Sequence, residues 1–430
     1  MEARSKKLIE ANKIFDFVIT NKNNFYRNFY ESKKFKKKPP FTEDEFRALP
    51  LLTKDDLLGS ALPNKNFLAT KDIRGFSVTS GTTKNKKILM LPFSAPAAVF
   101  KERVANKKKL DKLGVGTVIY LSSPLHGMTR HMVYENNNEI PFVLSKVEDF
   151  ALSTAMIKEG KITGIISTPT IIYQYLPFLD KAGVNNQVKW ICLAGEHCSA
   201  QKRAEIQRHF PGASIEFVYG SAETGIIGYQ CPYLIGKSTN NYHPADNLFL
   251  EVVKSDGSSS QDEPGNIVIT SLDKSAFPLI RYQNGDVGIL SQKPCKCGDP
   301  TTLTLLGRSE QDLAKVQGSI IHAEAVERAL GRVSIALLPY YYLRINETKI
   351  NGKILPELTI KLAPKQKLTS PLQTSQLLAT QISDNLWLST KNTLTNLVER
   401  GVFLPLVVEF TFEPIDNDLK KTKVIEYNPF

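Results

Sequence analysis

A large α/β domain of mixed sheets with flanking helices and a β-rich subdomain, followed by a small α+β domain, is the fold the sequence predicts. Three observations point to it. Short apolar runs at 117–122, 162–167, 188–194 and 214–219 alternate with helical stretches at 94–113, 149–160, 169–182 and 199–210, the pattern of parallel β-α-β units. After residue 228 the pattern turns to strands alone, "NLFLEVVKSDG", "GNIVITSL" and "LIRYQNGDVGIL", parted by Gly, Asp and Ser turns. Beyond the joint "GRSEQDLAKVQG" at 307–318, a helix (323–331), strands (335–346 and 357–362), a longer helix (369–400) and a last strand (405–412) make a compact unit of their own. Domains are therefore expected at 1–308 and 309–430.

Taken in order, residues 1–65 are helical and aromatic and read as packing ahead of the first sheet. Thr42 with Glu45 forms a capping box and Thr53 with Asp56 a second, so two short helices start there. Residues 76–91, "FSVTSGTTKNKKILML", then read as strand, hydroxyl- and glycine-rich turn, lysines and a second strand. Small residues let backbone approach a ligand, hydroxyls and amides donate hydrogen bonds, and lysines neutralise charge, so the turn suits a polyphosphate. It is not the helix-opening P-loop, because Lys86 stands where that motif needs its second glycine. In an open α/β sheet ligands sit beyond the carboxyl ends of the strands, which directs attention to the loops after 188–194 and 214–219.

At 430 residues with 42% hydrophobic content the chain can bury a sizeable core. It has no run of eighteen apolar residues and no apolar leader, so a cytoplasmic protein without membrane association is expected. The net charge of +12 is uneven: residues 1–112 carry 25 Lys+Arg against 12 Asp+Glu, while the rest is balanced. The runs at 33–38 and 106–109 lack interleaved aromatics and read as solvated surface rather than a nucleic-acid platform. Five cysteines, Cys192, Cys198, Cys231, Cys295 and Cys297, fit metal binding or buried thiols better than a disulfide framework.

Four signatures follow the "TSGTT" turn in order: "LAGEHCS" (193–199), "YGSAETG" (219–225), "IRYQNGDVG" (280–288) and "GRSEQDLAKVQG" (307–318). The set resembles the adenylate-forming superfamily of acyl-CoA ligases, adenylation domains and luciferase. Within it, "LPLLTKDDL", "AGE", "PCKCG" and "KVIE" make the chain most like phenylacetate-CoA ligase and its relatives. The resemblance spans almost the whole chain and implies ATP-dependent activation of a small, aromatic carboxylic acid to an acyl-adenylate, followed by transfer to CoA. An amine or a carrier-protein thiol as acceptor, or a nucleotide-binding regulatory protein without turnover, are the alternatives.

The resemblance also implies roles. Ser80, Gly81, Thr82 and Thr83 would hold the β- and γ-phosphates with Lys87 nearby, and Glu223 would hold Mg2+. Asp286 would accept from the ribose hydroxyls, Arg308 would help fix the nucleotide and Ser221 would bind it too, with Tyr219 and Gly220 against the adenine and Gly195 and Glu196 on its other side. The small domain would be mobile about a hinge at Asp312, bringing in a catalytic lysine, Lys420 or Lys421. Substrate-pocket candidates are His126, Arg130, His131, Ala194 and Gly220. Cys231, His243, Cys295 and Cys297 would form a structural Zn2+ site, since zinc takes four such donors in a closed tetrahedron and some relatives carry it in these stretches. Lys84 and Lys86 depart from the family's glycine and proline. A monomer or homodimer is expected.

Overall fold

The computed structural model describes residues 2–20, 25–58, 75–78, 90–93, 103–104, 106–122, 139–143, 148–195, 198, 200–221, 223–237, 240–254, 257–260, 262–273, 277–308, 313–316, 319–350, 353–388, 392–411 and 423–428. It divides into two compact units, Met1–His197 with Ile206–Leu305, and Cys198–Glu205 with Leu306–Phe430.

In the first unit, β1 (Gly75–Val78) and β2 (Met90–Phe93) pair antiparallel on either side of 79–89. Five parallel strands follow, in the order β4-β3-β5-β6-β7: β3 (Val118–Ser122), β4 (Glu139–Val143), β5 (Gly164–Ser167), β6 (Trp190–Ala194) and β7 (Ser214–Ser221). The helices between them behave as their sequences dictate. Thr168 caps Pro169–Ala182 by accepting from the Ile171 N–H, and Gly183 ends it at φ +69°. Helix Glu148–Glu159 leads into β5, and Ala200–His209 into β7.

β8 (Gly225–Tyr229), β9 (Asn241–Pro244), β10 (Leu248–Val253), β11 (Gly265–Ser271), β12 (Tyr282–Ser291) and β13 (Thr302–Arg308) extend the same sheet in the order β7-β8-β9-β13-β12-β11-β10. Strands lie about 4.8 Å apart, so in a flat sheet the four spacings from β7 to β12 would span about 19 Å. Yet the Tyr219 hydroxyl on β7 donates to the Asp286 carboxylate on β12. The sheet therefore curls on itself between them. Register shifts at Tyr219/Gly220 and at Asn266/Val268 mark bulges, which sharpen strand bending.

The aromatic N-terminal segment forms helices Glu2–Thr20, Phe25–Ser32, Glu43–Arg47 and Lys54–Leu58. Both capping boxes are present: Thr42 pairs with Glu45, and Thr53 Oγ1 accepts from the Asp56 N–H while Asp56 accepts from the Thr53 N–H. The segment packs on the β-rich side rather than ahead of the first sheet. Phe15, Tyr26, Tyr30, Phe46 and Leu52 share one core with Phe249, Phe277, Ile280 and Tyr282. The Tyr26 hydroxyl donates to the Pro278 carbonyl at 2.6 Å, and burial pushes its pKa well up. Leu52 runs beside β12, its N–H donating to the Arg281 carbonyl (3.0 Å) and its carbonyl accepting from the Gln283 N–H (2.8 Å). The segment thus braces the start of the strand that carries Asp286.

Of the lysine runs, 33–38 is a solvated face whose Lys33 and Lys37 pair with Asp56 (3.7 Å) and Glu45 (3.3 Å). Lys109, in the run at 106–109, is different. Its ammonium reaches inward to both Glu216 oxygens at 2.6 and 2.7 Å, and Glu216 is fully buried in β7.

The second unit holds a hairpin of β14 (Leu313–Val316) and β15 (Ser319–His322), and a four-stranded sheet. The sheet runs β18-β17-β16-β19, from β16 (Leu337–Ile350), β17 (Lys353–Pro364), β18 (Val407–Phe410) and β19 (Lys423–Asn428). Ile321, Val326, Leu343, Ile360, Leu378, Ile382 and Leu397 lie in its core. The long helix expected over 369–400 is two helices, Pro371–Asn385 and Leu394–Glu399. Thr393 starts the second with a capping box to Asn396. Among the described residues no helix is long and apolar enough to cross a membrane.

Candidate functional site

β6 and β7 are adjacent and parallel, so their carboxyl ends open side by side. Ala194 ends β6, half-buried, and Gly195 follows at φ +90°, a conformation that favours glycine. β7 ends in Tyr219, Gly220 and Ser221 before turning into β8. Gly220 is there because of close approach: a Cβ would lie 2.6 Å from the Gly225 carbonyl oxygen. Ser221 shapes the turn, its hydroxyl accepting from the Thr224 N–H at 3.2 Å and lying 2.9 Å from the Thr224 hydroxyl. Glu223 sits half-buried in that turn.

Asp286 arrives from β12, on a bulge where 284–286 stand opposite Ile267 alone, with Gly285 at φ +85°. It is 5% exposed. Its carboxylate Oδ2 accepts from the Tyr219 hydroxyl and, at 2.7 Å, from Asn284 Nδ2. Asn284 Nδ2 also donates to the Tyr219 oxygen (2.7 Å), and Asn284 Oδ1 accepts from the Asp286 N–H (3.0 Å). The tyrosine ring leans on Tyr242 of β9, centroids 5.8 Å apart. Gly228 makes room for that ring, since a Cβ there would lie 2.7 Å from the Tyr242 Cβ.

The "YGSAETG" and "YQNGD" stretches are thus brought to one place. Arg308 is the last residue of β13. Ser80, Gly81, Thr82, Thr83, Lys84, Lys86, Lys87, His126, Arg130, His131, Glu196, Asp312, Lys420 and Lys421 lie outside the described residues. Sequence reasoning missed Asn284 and Tyr242. The signal for Asn284 was its place two residues before the carboxylate, where an amide caps the following N–H.

A second cluster joins the β12 to β13 connection, through Cys295 and Cys297, to Cys231 after β8 and His243 on β9. Single donor atoms of Cys231, His243, Cys295 and Cys297 all fall within 4.8 Å of one another. His243 Nε2 is 3.3 Å from both Cys231 Sγ and Cys297 Sγ. Its Nδ1 is 2.7 Å from the Thr301 carbonyl, which can only accept, so Nδ1 carries the proton and Nε2 keeps a lone pair toward the sulfurs. Sulfurs about 2.3 Å from one tetrahedral zinc are about 3.8 Å apart, and Cys231 Sγ and Cys295 Sγ are 3.8 Å apart. Burial pushes the Cys231 thiol up to about 11. At Cys295 burial acts the same way but is outweighed by hydrogen bonds from the Cys297 N–H and from the Cys297 and Cys231 thiols, which draw it down to about 7. A thiol that loses its proton so readily suits a cation, which binds the thiolate. Cys192 and Cys198 are both buried and are not members of this cluster.

The sequence pattern of the family described as AMP-binding enzyme matches residues 16–272. Among curated proteins the chain is similar to an indoleacetate–lysine synthetase of Pseudomonas savastanoi, 29% identical over 177 residues, 40% of each chain. It is also similar to a phenylacetate-coenzyme A ligase of Thermus thermophilus, 26% identical over 196 residues, 44% of this chain and 43% of that one. The matched stretch spans less than half the length of these curated relatives. Among solved structures, a 2-hydroxyisobutyryl-CoA ligase in the postadenylation state with its acyl-AMP has a TM-score of 0.72 at 15% identity, covering 97% of this chain and 88% of that one. An anthranilate CoA ligase with anthranoyl-AMP has a TM-score of 0.54 at 16% identity, covering 82% and 66%.

Proposed function

Because the chain belongs to the AMP-binding enzyme family, we propose that it uses ATP to activate a small carboxylic acid as the acyl-adenylate, releasing pyrophosphate, and passes the acyl group to CoA. One observation carries the reading: the Asp286 carboxylate, 5% exposed, meets the Tyr219 hydroxyl at the end of the parallel half of the sheet, where an open α/β fold takes its ligand. An acid there suits the ribose hydroxyls, with Tyr219 and Gly220 against the base.

The reaction joins two anions, so its transition state needs fixed donors and positive charge. Ser80, Gly81, Thr82, Thr83 and Lys87 would meet the β- and γ-phosphates, and Arg308 would help hold the nucleotide. Glu223 would hold Mg2+, which would supply positive charge to offset that of the leaving pyrophosphate. Lys420 or Lys421, carried by the portion from 309 onward about Asp312, would enter for adenylation and leave for transfer. An aromatic acid is the substrate class we favour, from the similarity to the phenylacetate-coenzyme A ligase.

Pyrophosphate exchange with a panel of acids tests the activation step. Exchange should appear with an added acid and be absent without one. Asp286→Ala should weaken ATP about 10- to 100-fold, the loss of hydrogen bonds to a charged acceptor. Exchange with no acid at all, or an unchanged KM for ATP in the variant, would overturn the reading. An amine acceptor is the second reading, favoured by the similarity to the indoleacetate–lysine synthetase. AMP release measured with CoA and with amino acids separates the two.

We propose further that Cys231, His243, Cys295 and Cys297 bind one structural zinc, closing the β12 to β13 connection onto β9. Metal analysis of the purified protein should find about one zinc per chain. Cys297→Ser should weaken retention against a chelator at least about 10-fold. Metal-free protein that melts where the metal-bound protein does would retire the proposal.

A further inference from the structure

Among the described residues, three donor bonds pin the Asp286 carboxylate and its backbone. The Tyr219 hydroxyl donates to Oδ2 from β7, Asn284 Nδ2 donates to the same oxygen at 2.7 Å from β12, and the Asp286 N–H donates to Asn284 Oδ1 at 3.0 Å. The proton count closes. Asn284 has two amide hydrogens, one for Asp286 and one for the Tyr219 oxygen at 2.7 Å, and Tyr219 uses its own hydrogen on Asp286. The group is 5% exposed, in surroundings where water competes little for these bonds.

A carboxylate alone on a strand can turn about its own Cβ–Cγ bond and accept from one hydroxyl, two, or water. Held from two strands that meet through the curl of the sheet, it has one orientation. From this geometry we propose that Asn284 and Tyr219 are positioning residues that aim Asp286 at the ribose, so that selection of ribonucleotides over deoxyribonucleotides belongs to all three residues. The inference rests on the reading of Asp286 as the ribose acceptor. It gives the Tyr219 hydroxyl a task separate from that of its ring, and it gives Asn284 a task where the sequence alone offers only an ordinary Asn-Gly turn.

The test is calorimetric titration of the intact protein with ATP, 2′-deoxy-ATP and 3′-deoxy-ATP, for the wild type, Asn284→Ala and Tyr219→Phe. Loss of one hydrogen bond to a charged acceptor should make the wild type prefer ATP by about 10- to 100-fold over at least one deoxy analogue. Both variants should lose most of that preference, through weaker ATP binding with little change for the deoxy analogues. A merely structural role would weaken all three nucleotides alike and leave the ratio unchanged. If the wild type discriminates and both variants discriminate as well as it does, the proposal is overturned and the role of Asp286 stands. If the wild type shows no preference, the reading of Asp286 itself fails. Should Asn284→Ala not fold, Tyr219→Phe, which removes a single oxygen, carries the same comparison.

Discussion

Arg281→Met should lower the stability of the protein by about 3–5 kcal/mol, the range for stripping one partner from a buried ion pair. The Arg281 and Glu251 side chains are 3% and 1% exposed, and the guanidinium grips the carboxylate with two bonds of 3.1 and 3.2 Å. It also donates to the carbonyls of Arg47 and Leu49. Removing it leaves a buried carboxylate and two carbonyls short of a donor. Arg281 further sits at φ +46°, a strained position for a side-chain-bearing residue, held while its N–H donates to the Thr270 hydroxyl at 3.0 Å. Urea unfolding of the purified variant reads the cost. A companion variant, Arg281→Met with Glu251→Leu, should recover part of it, because the buried negative charge goes too. A variant melting within a degree of the wild type would refute the account of this pair.

Lys109→Met should cost about 3 kcal/mol at neutral pH, the lower end of the same range, since its side chain is 26% exposed while that of Glu216 is 1%. Burial already pushes the Glu216 carboxyl above its usual range, with the Lys109 ammonium and then the Trp190 N–H working against that. Without the lysine, burial acts nearly alone and the folded-state pKa climbs further. The folded variant then holds a proton that the unfolded chain gives up. Its stability is greatest below the ordinary carboxylate range and falls as pH rises toward the raised folded value, by about 1.4 kcal/mol per pH unit. The gap between variant and wild type should therefore be smallest in acid and widen toward neutrality. Adding Glu216→Gln to Lys109→Met should flatten that dependence. A gap that stays constant with pH would mean the lysine acts by packing alone.

These two residues mark where reading along a chain succeeds and where it stops. The strands at Val118–Ser122, Gly164–Ser167, Trp190–Ala194 and Ser214–Ser221 were legible because apolar runs between helices leave few alternatives. Both N-terminal capping boxes were legible because their partners are three residues apart. Lys109 was not, since a lysine among lysines looks like solvated surface. The sign of its partner was in the sequence all the same: Glu216 interrupts the apolar run of β7, a strand buried along most of its length, and such an acid must find a cation. The Cys/His cluster was anticipated by the nature of its donors more than by their spacing. The Asn284 amide was not anticipated, because its partner Tyr219 is 65 residues away and reaches it only through the shape of the sheet. β19 was missed because six residues with two charged side chains, Lys423 and Glu426, carry too weak a pattern; its support comes from its parallel neighbour β16.

The curl between β7 and β12 has a consequence for how ligand and folding are coupled. Tyr219 and Asp286 are 67 residues apart, and the strands between them must all be laid down before the arc closes. A nucleotide held at both would act as a clasp across that arc. By mass action it would raise the melting point of the parallel and antiparallel halves together, rather than that of either one.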